Sequence, residues 1–295
     1  MRKWSKLFFI VLTLAVSGPL FAQTDEATIK VRFLGTGAAD WHGPDKNGEQ
    51  RRMSSILVDD SVLVDYTAGA REMLPEGVRP HVILYTHSHG DHYNAEAALR
   101  LGIDTVYCSD TWVERCRKDF AAQAAKLALP EPVVIPLKQQ EEVSVSSVTF
   151  KALPATHYTG DLNEQALMYL LIKDDTRVLY ATDTGGIPAN AAIGGRFGAD
   201  GLPKAKRLPL AGFIMEATVG MNGEENFRLF SHSCVETVLH TVRVLWKNGT
   251  FPQDRPAYLT HLARTLHPSQ EELDKTLPYP LKAAYDGLEV IFPEK

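Results

Sequence analysis

Hydrophobic and polar residues alternate over residues 29–34, and this period of two predicts a strand with one buried face. Gly35 and Gly37 predict a tight turn directly after it. Two apolar triplets, 56–58 and 62–64, are separated by Asp-Asp-Ser and predict a hairpin. A continuous apolar run at 81–85 predicts a strand that is buried on both faces.

Three helices are predicted, at 94–101, 111–127 and 234–247. The second begins with the capping-box pattern of Thr111 and Glu114, and the third with that of Ser233 and Glu236. The third helix is the best defined, because its apolar side chains recur on one face. Gly249 is expected to end it.

Further strands are predicted at 143–153, 166–172, 177–182, 212–216 and 256–260. Residues 183–213 are rich in Gly, Pro and Ala without a clear period, so we expect a long loop that forms a lid or a rim of an active site. Strands interleaved with helices indicate a layered α/β architecture. No segment has the composition of a linker, and residues 23–295 are expected to form one domain.

The N-terminus has the order of a secretory signal peptide. Basic residues at 2, 3 and 6 precede an apolar run at 7–16, a Ser-Gly-Pro break and the small residue Ala22. We expect cleavage after Ala22 and a periplasmic or secreted protein, and an uncleaved anchor is the alternative. The apolar run is shorter than the roughly 20 residues of a comfortable membrane span, so no stable membrane insertion is expected after cleavage.

Charge narrows the possible partners. Without residues 1–22 the chain has 28 Lys and Arg against 36 Asp and Glu, a net charge of −8. Such a chain is a poor match for nucleic acid, whose binding usually needs a basic patch. Small anionic substrates remain possible because bound cations can reverse the local field. The three cysteines, Cys108, Cys116 and Cys234, are too few for a disulfide framework and are expected in the core.

The strongest chemical signal is His87-Ser88-His89-Gly90-Asp91-His92, which follows the buried strand at 81–85. Imidazoles and a carboxylate are the ligands that a borderline cation such as Zn²⁺ prefers. Residues two apart in a turn can point at one ion, so His87 and His89 would share one metal while Asp91 and His92 face a second. Gly90 is expected to let the backbone turn between the pairs. The alternative is a surface histidine cluster without metal.

This motif resembles the His-x-His-x-Asp-His signature of the metallo-β-lactamase superfamily. The resemblance spans about residues 29–291 and includes the first strand with its glycine turn, at 33–37. It implies a four-layer αββα sandwich of two mixed β-sheets flanked by helices. It also implies that Asp65, at the end of the strand 62–64, supports the metal-binding loop.

The resemblance further implies the rest of a ligand set for two divalent ions. His157 is similar to the third histidine of the first metal, Asp183 to the carboxylate that bridges both, and His261 to the last ligand of the second. Zn²⁺ suits these ligands, with Mn²⁺ and Fe²⁺ as alternatives. Two such cations about 3.5–4 Å apart can activate a water between them and clamp a phosphate or carbonyl. A loop histidine without metal at 157 and a turn cap at 183 are the structural alternatives.

Within the superfamily the chain resembles the phosphodiesterase branch, whose members open cyclic ribosyl phosphates or trim transfer-RNA 3′ ends. An aspartate stands at 183, where β-lactamases of the fold commonly use cysteine. The segments 51–55, 231–233 and 284–288 are also similar to that branch. The resemblance implies that His232 acts on the phosphoryl group or the leaving oxygen, and its place before a predicted helix would favour an anion. A structural role at the helix entry is the alternative.

We therefore expect an exported hydrolase of a small or cyclic phosphodiester, with Asp91 and His232 as catalytic residues and a small, anionic substrate. A homodimer is possible. The alternatives are hydrolysis of an ester, lactone or β-lactam at the same metals, and a non-catalytic module that binds metal or ligand. His267 is expected either to touch substrate or to lie on the surface before Pro268.

Overall fold

Two seven-stranded β-sheets pack face to face in the structure, a computed structural model that describes residues 27–198 and 201–294. The predicted signal peptide lies outside the described residues. In the first sheet the strand order is β14-β1-β2-β3-β4-β5-β6. Its strands are β1 (Ile29–Gly35), β2 (Ser55–Val58), β3 (Val62–Val64), β4 (Val82–Leu84), β5 (Thr105–Ser109), β6 (Val133–Leu137) and β14 (Glu289–Phe292).

The second sheet has the order β13-β12-β11-β10-β9-β8-β7 and mixes parallel with antiparallel pairs, as the first does. Its strands are β7 (Glu142–Val145), β8 (Val148–Pro154), β9 (Leu167–Lys173), β10 (Thr176–Ala181), β11 (Gly212–Glu216), β12 (Ala257–Thr260) and β13 (Leu281–Ala283). The helices are α1 (Ala95–Leu101), α2 (Val113–Leu127), α3 (Ala189–Gly194), α4 (Val235–Asn248) and α5 (Gln270–Thr276).

The structure has four layers, two of sheet and two of helices, and a hydrophobic cluster fills each of the three spaces between them. The cluster between the sheets joins Phe33 of β1 to Phe150 and Tyr180 of the second sheet. Outside the first sheet, residues such as Phe120 of α2 pack on its outer face. Outside the second, residues such as Val238 of α4 do the same. Because each sheet buries one face against the other sheet and one against helices, the predicted αββα sandwich is confirmed.

Both predicted capping boxes are wrong. Helix α2 begins after Trp112 without a side-chain cap, and the Thr111 hydroxyl instead accepts a hydrogen bond from the Gln165 amide. Helix α4 begins after Cys234, also without a side-chain cap. The Ser233 hydroxyl donates to the Thr184 carbonyl at 2.8 Å. In both cases a tertiary contact takes the hydroxyl that the local pattern assigned to the helix.

Several segment boundaries also differ from the sequence predictions. The strand expected at 143–153 is the hairpin β7–β8, with a turn at Ser146. The loop expected at 183–213 contains α3 and a short 3₁₀ helix, Lys204–Lys206. Four strands, β5, β6, β13 and β14, and helix α5 were not predicted, because segments of three to seven residues show little periodicity.

Other expectations are confirmed. Gly249 ends α4 in a left-handed conformation with φ of 70°. The three cysteines are buried and form no disulfide. Within residues 27–198 and 201–294, none of the helices combines the length and the apolar character that crossing a membrane requires.

Candidate metal centre

All seven predicted metal ligands lie in loops at the ends of strands, on one side of the sandwich. The loop 87–92 follows β4, and His157 follows β8. Asp183 follows β10, and His261 follows β12. Because β4 lies in one sheet and the other three strands in the second, the loops meet where the two sheets open towards solvent.

The first group of ligands contains His87, His89 and His157, whose ligand atoms lie within 4.8 Å of one another. His157 Nε2 is 3.1 Å from His89 Nδ1. Two nitrogens held by one Zn²⁺ at about 2.0–2.1 Å and at tetrahedral angles are about 3.3 Å apart. The spacing of these imidazoles therefore fits a shared cation.

The second group contains Asp91, His92, Asp183 and His261. His261 Nε2 lies 3.1 Å from His92 Nε2 and 3.2 Å from Asp91 Oδ2. Asp183 lies between the two groups, since its Oδ2 is 2.6 Å from His92 Nε2 and 3.2 Å from His87 Nε2. This is the position that a bridging carboxylate requires.

Two buried ligand atoms of this site make no hydrogen bond within the part of the chain that the structure describes, and coordination to a metal would satisfy them. His87 Nε2 and Asp183 Oδ1 are both buried and have no hydrogen-bond partner among the described residues. An unpaired buried polar atom costs about 1–3 kcal/mol. Burial also lowers the pKa of His87 well below its usual value, so its imidazole is neutral and able to coordinate. The residues present therefore fit a pair of divalent ions.

In four of the histidines, the ring nitrogen Nδ1 makes a hydrogen bond to another residue of the chain. His92 Nδ1 donates to Asp65 at 2.7 Å, and His87 Nδ1 donates to Thr86 at 3.0 Å. His157 Nδ1 donates to the Ser231 carbonyl at 3.0 Å, and His261 Nδ1 donates to Thr218 at 2.8 Å. In each case Nε2 is left for a metal, because the hydrogen bond fixes the tautomer and the ring. The resemblance implied this supporting role for Asp65, but the sequence did not indicate Thr86, Ser231 or Thr218.

Glu164 holds the loop of the first group and was not predicted. Its carboxylate accepts from the Ser88 amide at 2.8 Å and from the Ser88 hydroxyl at 2.7 Å. Arg115 donates to the same hydroxyl at 2.9 Å. Glu164 is buried although it lies in a polar loop, and no local pattern signals that.

The backbone turns at Gly90, as expected, but this turn does not require a glycine. Its φ is not in the left-handed region, and an added Cβ would meet no atom within 4 Å. The turns that need left-handed conformations lie elsewhere, at Asp65 (φ 57°), Asp183 (φ 46°) and His261 (φ 53°). Such conformations are unfavourable for residues with a Cβ and tend to occur at functional sites. Here they turn side chains at the ends of β3, β10 and β12 inward.

His232 lies beside the ligands, as predicted, but it is oriented by contacts that the sequence did not reveal. Its Nδ1 is 3.1 Å from Glu216 Oε1 and 3.3 Å from Asp183 Oδ1. Burial disfavours a charge on this imidazole, but Glu216 and Asp183 outweigh it and raise the pKa to about 11. The backbone amide of His232 donates to the Arg228 carbonyl at 2.7 Å. The position of His232 before a predicted helix implied that this amide could bind an anion. The amide is already used in the hydrogen bond to Arg228, so it is not free for that role.

Glu216 is the functional residue that the sequence analysis missed. It is completely buried at the end of β11, where it also accepts from the Thr184 amide at 2.7 Å. A sequence pattern could have identified Glu216, because it is a carboxylate at the end of an otherwise apolar strand. Asp65 shows the same pattern. With Asp183, His232 and His261 it forms a third cluster of ligand-type atoms.

A cavity of about 270 Å³ opens onto the second group of ligands. His89, Asp91, Asp183, His232 and His261 line it. Arg228, on the short 3₁₀ helix Phe227–Phe230, completes its rim.

His267 does not line this cavity and is not on the surface. It is buried, with Nε2 2.6 Å from the Ala217 carbonyl oxygen, so the expected surface position is wrong.

Two segments that the sequence analysis associated with one branch of the superfamily contact each other. Arg51 donates to the Ala284 carbonyl at 2.8 Å, and the Arg52 amide donates to Asp286 at 2.6 Å. The other oxygen of Asp286 accepts from the Thr36 hydroxyl at 2.8 Å. The Thr36 carbonyl in turn accepts from the Leu262 amide at 2.8 Å. The network thus supports the loop that carries His261.

Comparison with known proteins agrees with this geometry. The sequence model of the beta-lactamase superfamily domain matches residues 56–200. No curated protein matches the sequence.

Similar solved structures include a diphosphatase from the PhnP family, with a TM-score of 0.64 and 20% identity over 90% of this chain and 98% of that one. Zn²⁺-bound PqqB from Methylobacterium extorquens has a TM-score of 0.62 and 16% identity over 88% and 99%. The short form of human tRNase Z has a TM-score of 0.61 and 16% identity over 88% and 98%. The domain match over residues 56–200, the two mixed sheets and the likeness to these solved structures together show that the chain has the metallo-β-lactamase fold.

Proposed function

We propose that the chain is a metal-dependent hydrolase of small or cyclic phosphodiesters. The observation that carries this proposal is the position of His232. It shares one small cavity with ligands of the second group, and its Nδ1 is held by Glu216. A positioned proton donor beside a pair of cations suits a reaction in which an alkoxide leaves a phosphorus centre.

The proposal includes two divalent cations, and Zn²⁺ is the preferred ion for both positions. His87, His89 and His157 would hold one, Asp91, His92 and His261 the other, and Asp183 both. Such a pair supplies an activated water and a clamp on the non-bridging oxygens. Histidine nitrogens and carboxylate oxygens suit Zn²⁺, with Mn²⁺ and Fe²⁺ as alternatives.

The residues of the chain would then bind, orient and transfer a proton. Since Glu216 and Asp183 face Nδ1 of His232, Nε2 is left for the substrate. A protonated His232 donates from Nε2 to the leaving oxygen, and Glu216 stabilises the charge that the imidazole carries before that step. Asp91 would help to hold the second cation through its carboxylate. The walls of the cavity, about 270 Å³ in volume, favour a small substrate.

Two further observations favour hydrolysis of a phosphodiester over hydrolysis of an ester, lactone or β-lactam. The solved structures that resemble the chain include a diphosphatase and a tRNase Z. The cavity rim also carries a cation, Arg228, which suits a charged phosphodiester better than a neutral ester or lactone. Hydrolysis of an ester, lactone or β-lactam at the same metals is the competing function.

A substrate panel tests the proposal. The purified protein, loaded with Zn²⁺ or Mn²⁺, is assayed with bis-p-nitrophenyl phosphate, a simple lactone and nitrocefin. We expect phosphodiester hydrolysis with kcat/KM well above the other two, and its loss in Asp183→Ala. The matched control Asp174→Asn changes an aspartate between β9 and β10 and should keep wild-type activity. Turnover of nitrocefin or the lactone without turnover of the diester would replace the proposed substrate class. No turnover of any of the three with both metals retained would favour a non-catalytic module.

Location and partners belong to the proposal as well. We propose an exported protein of residues 23–295, on the basis of the basic, apolar and small-residue order at 1–22. The net charge of −8 that follows favours small substrates over nucleic acid. N-terminal sequencing of the protein after expression in a bacterial host, together with periplasmic fractionation, tests this. A chain that starts at Met1 and stays in the cytoplasm would contradict it.

A further inference from the structure

The short 3₁₀ helix Phe227–Phe230 places one cation at the mouth of the metal-binding cavity. Arg228 lines the cavity that also contains Asp91, Asp183 and His232. The other lining residues are apolar, polar, acidic or imidazole side chains. Within the described part of the chain, Arg228 is therefore the one guanidinium or ammonium group of this cavity. Its place there was not signalled by any motif.

The guanidinium of Arg228 is not engaged by the protein. Among residues 27–198 and 201–294, no carboxylate pairs with it and no hydrogen-bond acceptor takes its N–H groups. Its Cζ lies 5.1 Å from the centre of the Phe227 ring, which is itself 74% exposed. This cation–π contact orients the group without satisfying its five donors. Free donors at a cavity mouth are suited to an anion.

The backbone couples Arg228 to the catalytic residues. The amides of Ser231 and His232 donate to the Arg228 carbonyl at 2.9 Å and 2.7 Å. The Ser231 carbonyl accepts from His157 Nδ1 at 3.0 Å. The backbone of Arg228 is therefore fixed relative to His157 and His232, so the guanidinium starts from a defined place beside the cavity.

Charge supports the same conclusion. The proposed pair of divalent ions carries four positive charges, whereas the seven ligands include two carboxylates, Asp91 and Asp183. The other acidic group of the cavity, Asp40, accepts hydrogen bonds from the amides of Arg264 and Thr265 and from the Thr265 hydroxyl. Arg228 thus adds a positive charge at the cavity mouth, where an anionic group would enter.

We propose that Arg228 binds an anionic group of the substrate at the cavity mouth and so selects negatively charged substrates over neutral ones. This inference rests on the proposed function and names the residue that sets its substrate class. The guanidinium makes charge-assisted hydrogen bonds with phosphoryl or carboxylate oxygens. Neutral esters and lactones, which offer no charge, would gain little from it.

The test compares Arg228→Gln and Arg228→Lys with wild type. The matched control is Arg243→Gln, which removes the same charge from an exposed position on α4 outside the cavity. Substrates are bis-p-nitrophenyl phosphate, an anion, and p-nitrophenyl acetate, a neutral ester. We expect Arg228→Gln to raise KM for the anion about ten-fold or more while kcat changes little. KM for the neutral ester should stay within a factor of two, and Arg228→Lys should recover part of the loss.

Ionic strength gives a second measurement. KM for the anion should rise with NaCl in wild type and in Arg243→Gln, and rise less in Arg228→Gln. An equal change of KM for both substrates would show that the substitution only disturbs the cavity and would overturn the proposal. Unchanged KM for the anion would overturn it as well.

Failure of the proposed function can be told apart from failure of this inference. If wild type hydrolyses only the neutral ester, the phosphodiesterase proposal is wrong. Inhibition of that ester hydrolysis by inorganic phosphate then tests Arg228. A phosphate inhibition constant raised about ten-fold in Arg228→Gln, but not in Arg243→Gln, would support anion binding by Arg228. Equal inhibition constants in all three proteins would contradict it.

Discussion

Asp65 Oδ2 accepts a hydrogen bond of 2.7 Å from Nδ1 of His92, and both side chains are completely buried. The same carboxylate accepts from the Thr86 amide and hydroxyl, each at 2.8 Å. Asp65 therefore fixes a ligand of the second group and the backbone just before a ligand of the first. One residue outside the ligand set thus orients both halves of the site.

The first prediction concerns this contact. Asp65→Asn keeps the shape of the side chain but replaces a charged acceptor with an amide, so His92 loses the partner that fixes its tautomer. We expect affinity for metal to fall about 10–100-fold. Titration of the metal-free protein with Zn²⁺ against a competing chelator measures it. Asp60→Asn, in the turn between β2 and β3, is the control and should bind as wild type does. Wild-type affinity in Asp65→Asn would show that the contact does not support the metal.

The bridging position of Asp183 leads to the second prediction. Because Asp183 contacts histidines of both groups, Asp183→Ala should reduce the content of both metals. His157→Ala removes a ligand of the first group alone, so about one equivalent should remain. Metal analysis after dialysis without chelator measures both. Retention of two equivalents by Asp183→Ala would contradict the bridging role.

The third prediction separates proton donation from metal binding. His232→Ala removes the proposed donor, and kcat for phosphodiester hydrolysis should fall about 10²-fold or more while metal content stays at the wild-type value. Glu216→Gln removes the carboxylate beside Nδ1 and should lower kcat to a smaller extent. It should also move the alkaline limb of the pH profile to lower pH, since Glu216 raises the pKa of His232. Metal loss from His232→Ala would instead make it a ligand.

The fourth prediction uses His267, whose pKa burial lowers to about 4, although the Ala217 carbonyl opposes the shift. In the unfolded chain the imidazole has its usual pKa near 6.5 and binds more protons than the folded state between pH 6.5 and 4. The stability that neutral His267 contributes is therefore complete above pH 6.5 and lost as pH falls through that window. The loss is on the order of 3 kcal/mol.

Denaturant unfolding at pH 7.5 and pH 5, with chelator in every sample so that metal release plays no part, measures this loss. His267→Gln should be less stable at pH 7.5 and should lose less stability at pH 5 than wild type does. The same loss in both proteins would mean that another group is responsible.

The fifth prediction compares two glycines. A Cβ at Gly35, at the end of β1, would lie 2.0 Å from the Met53 carbonyl oxygen, a backbone atom that cannot move alone. Gly35→Ala should therefore destabilise the protein by about 1–3 kcal/mol or more. Gly90→Ala, in the metal-binding loop, meets no atom within 4 Å and should leave stability and metal content unchanged. Thermal unfolding of both variants measures the difference, and equal melting temperatures would contradict the clash.

Local order along the chain was enough to predict much of the fold. The alternation at 29–34, the triplets of β2 and β3, and the apolar stripe of α4 each identify an element, because period and burial are linked within one segment. The His87–His92 motif was readable for the same reason, since its ligands are close in sequence. The resemblance to a family then supplied His157, Asp183 and His261, which no local pattern could join to the motif.

Only the tertiary structure decided which polar groups meet. Glu216 and His232 are 16 positions apart, and Ser88 and Glu164 are 76 apart, yet each pair forms a hydrogen bond that is at least partly buried. The Ser233 hydroxyl, which the local pattern assigned to a helix cap, bonds to Thr184 instead. Sequence determines which segments bury their apolar faces, because that depends on neighbours along the chain. Partners of buried polar atoms depend on how distant loops pack, and the most favourable contact in space then displaces the local one.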